Sequence, residues 1–232
     1  GNMIGGSMKS LFKSGIRDLK NKFADPGGDD EFATPLGLRM GAAVDIDTLP
    51  MRMHADILHI KPPEQAIVIV AQGYVDLGDG TYLHRYYAAD DTMIQVLTVA
   101  GMSDEHVEEI TYYAPYKSYY PGNEGEWALW TATGGRMGAP DFRLDDGTEY
   151  TRLWFDTTSG HAEPVEFTEE VYENPDTDDH RDSFQKTMLY GRNIEDGKKN
   201  EYLLITVESY NGEKTVELMM GVDIEFAMLK VI

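Results

Sequence analysis

The chain holds no cysteine, so its chemistry must come from His, Asp, Glu, Ser, Tyr, Lys and Arg. Thiol nucleophiles, disulfides, Cys-based zinc sites and Fe–S clusters are excluded on that ground. The acidic run Asp176-Thr-Asp-Asp-His-Arg-Asp182 invites a calcium loop, but its sixth and twelfth positions are Arg181 and Thr187 rather than Gly and Glu. It reads as a solvated loop after Asn174-Pro175. The six histidines (His54, His59, His84, His106, His161 and His180) contain no pair at zinc spacing. Ser159 lacks the flanking glycines and following helix of a nucleophile elbow. Gly197-Lys198 lacks the glycine five residues earlier that a phosphate loop requires, and Gly78-Asp-Gly80 lacks the third glycine of a dinucleotide fingerprint. The expectation is no catalytic residue, no metal and no cofactor.

Two groups of residues suit binding instead. Tyr112, Tyr113, Tyr116, Tyr119 and Tyr120 crowd around Pro115 and Pro121. Such a ribbon either presents rings to a partner or forms a half-buried strand with Tyr at its edge. Leu77-Gly-Asp-Gly-Thr-Tyr-Leu-His-Arg85 also aligns with Leu144-Asp-Asp-Gly-Thr-Glu-Tyr-Thr-Arg152. Either a β module is duplicated, with Arg85 and Arg152 in equivalent places, or Asp-Gly-Thr is shared hairpin chemistry. Arg85, Arg152, Tyr112, Tyr113 and Tyr116 are the candidate binding surface. Trp127 and Trp130 read as core anchors.

The elements that must position these residues differ along the chain. Met8, Leu11, Phe12, Ile16, Leu19 and Phe23 share one face of a predicted helix, with Lys9, Lys13, Arg17 and Lys20 on the flank beside and opposite it. Residues 1–24 hold five basic groups and one acid. The whole chain has 20 basic and 41 acidic groups, so residues 25–232 keep 15 and 40, a net of −25 beneath a positive head. The overall charge of −21 argues against a nucleic-acid partner, because phosphates would be repelled. The basic amphipathic segment, residues 7–24, is expected to dock on its own body, on a partner or on a membrane surface.

Residues 25–33, with Asp25-Pro-Gly-Gly, read as a linker, and an acidic β-rich domain follows over 34–232, as one body or as two similar modules of about 44–110 and 111–232. Asp79-Gly80, Asp146-Gly147, Asp196-Gly197 and Asn211-Gly212 predict tight hairpins, since a type I′ turn needs positive φ at both central residues. Tyr202–Tyr210 and the alternation Val216, Leu218, Met220, Val222 predict the clearest pair of strands. Ala66–Val70, uninterruptedly apolar, suits a central strand buried on both faces, and Thr92–Val99 and Thr151–Phe155 also read as strands. Ser103–Glu109 suits one short helix capped by Ser103. The fold class is mainly β, an antiparallel meander or barrel-like body with an N-terminal amphipathic helix. No stretch is long and apolar enough for a signal peptide or a bilayer span, so a cytoplasmic location is expected, peripheral to the inner membrane if the helix docks there.

Thr34-Pro-Leu-Gly-Leu-Arg-Met-Gly-Ala-Ala-Val44, Gln72-Gly-Tyr-Val-Asp-Leu-Gly-Asp-Gly-Thr-Tyr-Leu-His-Arg-Tyr86 and Leu189-Tyr-Gly-Arg192 resemble the YjfK-like family of uncharacterised bacterial proteins. That resemblance runs from about Thr34 to the C-terminus and supplies no catalytic residues. It implies a genomic setting near a PspA-like membrane-stress protein, a small membrane protein and an ATP-grasp ligase. Two functions are expected from different classes. The first is a non-enzymatic adaptor linked to membrane or envelope stress, with a PspA-like protein as candidate partner. The second is an enzyme or enzyme accessory that handles a cationic small molecule such as a polyamine. A pocket with convergent carboxylates would favour the enzyme, and an exposed apolar groove the adaptor.

Overall fold

The computed structural model describes residues 32–155, 160–195 and 197–232. Ordered along the chain are β1 (Ala43–Ile46), α1 (Leu49–Met53), β2 (Ile67–Val68), β3 (Ala71–Gly78), β4 (Thr81–Tyr87), β5 (Met93–Val99) and β6 (Val107–Tyr119). Then come α2 (Glu124–Thr131), β7 (Asp141–Arg143), β8 (Glu149–Arg152), β9 (Val165–Tyr172), β10 (His180–Ile194), β11 (Lys199–Tyr210), β12 (Glu213–Asp223) and β13 (Leu229–Val231). The predicted helix over residues 8–23 lies outside the described residues, as does nearly all of the linker.

Strands pair in the order β11-β12-β6-β5-β4-β3-β9-β10, and β10 pairs back onto β11. Every pairing is antiparallel. An eight-stranded barrel therefore closes, which leaves no open edge among those strands. The upper part of β10 continues past β9 to pair with β8, so the β7–β8 hairpin extends the wall there. A separate sheet of three strands, β13-β1-β2, lies outside. Its Val44 and Ile67 belong to the same apolar cluster as Leu203, Ile205, Val216 and Leu218 of the barrel. Glu201–Val207 of β11 is thus buried on both faces, and Thr81–Tyr86 of β4 is likewise buried without alternation.

Turn chemistry is local and behaves as expected. Asp79 and Gly80 (φ 55° and 73°) and Asn211 and Gly212 (φ 52° and 78°) close the β3–β4 and β11–β12 hairpins. At Asp146-Gly147 the hairpin forms, but only Gly147 is left-handed (φ 90°). Its N–H donates to Leu144 O at 2.9 Å, a type I turn followed by a left-handed glycine rather than type I′. β10 and β11 are joined at Asp196-Gly197, with Asp196 itself outside the described residues.

Three expectations are corrected. Ala66–Val70 is not a central strand. It gives the two-residue β2 at the edge of the small sheet, with exposed Val68 and Val70 alternating with buried Ile67 and Ile69. The strand expected at Thr151–Phe155 is Glu149–Arg152 instead, because it ends where the chain turns away from β10. Within Ser103–Glu109 only Asp104–His106 makes a 3-10 turn, capped by Ser103, and β6 begins at Val107. Tyr116 sits at a bulge: Leu218 faces Lys117 while Met219 faces Pro115, so Tyr116 has no partner across the ladder. Pro115 has no N–H to donate, and the bulge absorbs that gap.

Candidate functional site

The barrel interior is defined by strand parity. Inward from β4, β5, β9 and β10 point Arg85, Gln95, Glu169 and Gln185, none more than 6% exposed. Arg85 donates through Nε to Gln95 Oε1 at 2.9 Å and through Nη1 to Glu169 Oε1 at 2.8 Å and Gln185 Oε1 at 2.9 Å. Glu169 Oε2 accepts from Tyr87 Oη at 2.6 Å. Burial by itself would lower the Arg85 pKa, but the Glu169 carboxylate overrides it and holds the guanidinium charged. Burial first, and then Glu169, pushes Tyr87 well above its ordinary range. Gly73 makes the pair possible: a Cβ there would stand 1.8 Å from Glu169 Oε2. With every strong acceptor already used, this cluster specifies the barrel rather than a reaction.

A second polar hub sits on the outer wall. Glu201, fully buried, accepts from the backbone N–H of His59 (2.7 Å) and Ile60 (2.9 Å), from Tyr150 Oη (2.8 Å) and from Arg192 Nη2 (2.8 Å). Arg192 Nη2 also donates to Ile57 O at 2.6 Å and to His59 Nδ1 at 3.1 Å. An Nδ1 that accepts leaves the proton on Nε2, which faces Asp146 Oδ2 at 2.6 Å. That bond holds the Asp146 carboxyl well below the usual range. Glu201 and Arg192 thereby pin the loop after α1 and the β7–β8 turn onto β10 and β11. His59 stands between a carboxylate and an arginine; the hydroxyls near its ring are Thr148 Oγ1, 3.5 Å from Nε2, and Tyr150 Oη, 3.4 Å from Nδ1, and the Tyr150 hydroxyl already donates to Glu201.

A groove of about 280 Å³ with room for a ligand opens beside α1. One wall is Pro50, Met51, His54 and Leu58; the other is Val222 to Glu225 with Met228; the β10–β11 turn closes the end with Ile194, Lys198 and Lys199. α1 starts where Pro50 occupies the first turn and Asp47 Oδ1 takes the Leu49 N–H at 3.0 Å. Leu49 (60% exposed), Met53 (66%) and Ile57 (47%) follow one another at intervals of four, and Phe226 (70%) is exposed between Glu225 and Met228; these four border the groove without lining it. Elsewhere Leu129, Tyr120 and Phe184 are exposed at separate places in the sequence.

The residues singled out from sequence are dispersed. Arg85 and Arg152 do not share surroundings: Arg85 lies in the barrel with Glu169, while Arg152 on β8 donates to the carbonyls of Trp154, Gly138 and Gly160. Both Asp-Gly-Thr runs stand at hairpin turns, and Arg85 and Arg152 are both buried. Tyr112 and Tyr113 are buried as well, and burial pushes the Tyr112 hydroxyl up to about 12. Tyr113 fits because Gly221 opposite it has no side chain; a Cβ there would stand 2.5 Å from the ring. Tyr116 alone of the three is exposed, its ring edge-on to His59 at 5.7 Å. Met8, Leu11, Phe12, Ile16, Leu19 and Phe23, with Lys9, Lys13, Arg17 and Lys20, lie outside the described residues. Among the described residues no three His, Asp or Glu are grouped to hold a metal ion. None of the described helices is long and apolar enough to cross a membrane. Glu169 and Gln185 escaped the sequence reading although a signal exists: both occupy the buried phase of an alternating strand, Glu169 between Phe167 and Val171.

An antiparallel barrel with a closed polar interior and an apolar groove on its flank describes a class of β scaffold rather than an activity. The chain belongs to the family described as protein of unknown function (DUF2491), which matches residues 12–230. It is similar to the uncharacterized protein YjfK of Escherichia coli K12, with 28% identity over 202 residues, covering 85% of this chain and 90% of that protein. No solved structure matches.

Proposed function

We propose that the protein is a non-enzymatic adaptor of the bacterial cytoplasm, linked to membrane stress, whose barrel carries a helix-binding groove beside α1. The observation that supports this is the groove itself, lined by the apolar Pro50, Met51, Leu58, Ile194, Ile224 and Met228, with Leu49, Met53, Ile57 and Phe226 exposed on the segments that form its walls. An amphipathic partner helix would fill such a groove with its i, i+3 and i+4 anchors and cover the exposed residues beside it. Lys198 and Lys199 at one end and Asp223 and Glu225 on the wall favour a helix bearing charges of both signs beyond its apolar stripe. A PspA-like protein, which the family resemblance sets in the same genomic neighbourhood, is the partner to try first. The adaptor reading is preferred to the handling of a cationic metabolite because the buried carboxylates, Glu169 and Glu201, are already committed to Arg85 and Arg192.

The test is a binding titration between the purified full chain and the purified PspA-like protein of the same host. It is repeated with Met53→Ser combined with Phe226→Ser. Exposed apolar residues bordering such a groove are worth about 1 kcal/mol each, so the double variant should weaken binding by at least about tenfold at unchanged melting temperature. Equal affinity for both chains, or no binding of either, would remove the groove from the function.

A further inference from the structure

The chain enters the described structure at Phe32, whose ring packs edge-on against Tyr172 with centroids 4.9 Å apart. Beside it opens a cleft of about 380 Å³, walled by Phe32, Met40, Gln72, Pro175, Asp176 and Asp178 and sharing no residue with the groove at α1. Gln72 is 3% exposed. Its Nε2 donates to Ala33 O at 2.9 Å, whereas its Oε1 is buried and has no hydrogen-bond partner among the described residues. A buried amide oxygen without a donor costs about 1–3 kcal/mol, so the cleft holds an acceptor that the body does not satisfy. Asp176 and Asp178 are exposed at the rim, and neither forms an ion pair among the described residues. Arg39 also lines the cleft, its Nη1 donating to Gly37 O at 2.8 Å. Val68 and Val70 are 52% and 46% exposed and share strand parity with Gln72, so an apolar row leads away from the cleft. A carbonyl, two carboxylates and an apolar wall together suit an ammonium group on an aliphatic stem.

We propose that the occupant is this chain's own basic segment, residues 8–23: one of its lysines enters the cleft toward Gln72 Oε1, Asp176 and Asp178, and its apolar face covers Met40, Val70 and Val68. Position supports this. Only eight residues separate Phe23 from Phe32, a reach of at most about 28 Å, and a tether that short gives an effective concentration in the millimolar range. Charge supports it too, since the segment holds five basic groups and one acid, and the cleft offers two carboxylates without partners. The apolar stripe supplies the reason to dock, because a lone helix of this length is marginal in water. A body of net −25 over residues 25–232 also disfavours anionic lipid as the alternative surface. This inference is independent of the groove at α1 and assigns a seat to the segment.

The absence of native cysteine makes a clean probe available. Ser14→Cys, carrying a nitroxide, is introduced into the full chain, and paramagnetic broadening of amide signals is mapped at roughly 20 mM and roughly 500 mM salt. The expected result is broadening confined to Met40, Val68–Gln72 and residues 174–179. It should weaken by roughly fivefold at high salt, where the screening length is short, and equally in Asp176→Asn combined with Asp178→Asn. A linear diamine at millimolar concentration should compete and reduce the broadening. Broadening spread evenly, centred on α1, or unchanged in the double variant overturns the proposal. So does a diamine that shifts the 174–179 signals while the broadening stays in place, since the cleft would then take free cations and not the segment.

Discussion

Acidification should destabilise this protein through His84 before its carboxylates begin to titrate. His84 is fully buried on the outward face of β4, with Nε2 2.9 Å from Thr98 Oγ1, no partner at Nδ1, and the rings of Tyr74 and Tyr82 at 6.1 and 6.3 Å. No carboxylate faces it in these contacts, so burial acts alone and lowers its pKa from 6.5 to about 4. The folded state therefore binds fewer protons than the unfolded chain between those two values, and stability rises with pH across that window. Read downward, the slope approaches about 1.4 kcal/mol per pH unit. Integrated from pH 7 to pH 5, the loss is about 2 kcal/mol. The assay is urea unfolding at both pH values for the native chain and for His84→Gln, which cannot be protonated. The native chain should lose about 2 kcal/mol more than the variant over that interval. Parallel losses would refute the reasoning, and so would a His84 imidazole that titrates near 6.5 by NMR.

Two further substitutions test the polar hubs. Gly73→Ala places a Cβ 1.8 Å from Glu169 Oε2, so the carboxylate must leave Arg85. Breaking a buried pair in this way should cost about 3–5 kcal/mol, read as a shift of the urea midpoint. Glu201→Gln leaves the barrel closed but loosens the loop that Glu201 holds through the His59 and Ile60 amides. Hydrogen exchange at those two amides should accelerate by roughly tenfold or more, the equivalent of about 1.4 kcal/mol, while the amides of β4 and β5 stay protected.

What could be read along the chain was what depends on neighbours in the chain. Asn211-Gly212 and Asp79-Gly80 make their turns because those residue types tolerate positive φ wherever they stand, and β11 and β12 pair because one tight turn sets their register. The total absence of cysteine and the contrast between a basic head and an acidic body likewise needed no fold. Closure of the barrel by β10 on β11, the wrapping of the outer wall by β1, β2 and β13, and the choice of inside and outside are tertiary decisions. On a strand buried on both faces, alternation carries no sign of direction. Arg85 meets Glu169 across 84 residues of sequence, and Glu201 meets His59 across 142. Neither pairing leaves a local pattern, because a charge is tolerated in the core only by a partner that the closed barrel brings to it. Arg85 and Arg152 make the same point from the other side. Matching turn residues gave them matching sequence surroundings, but the strand after one turn joins the barrel and the strand after the other ends against β10. Long-range pairing set their environments, and in a barrel that pairing follows from closure.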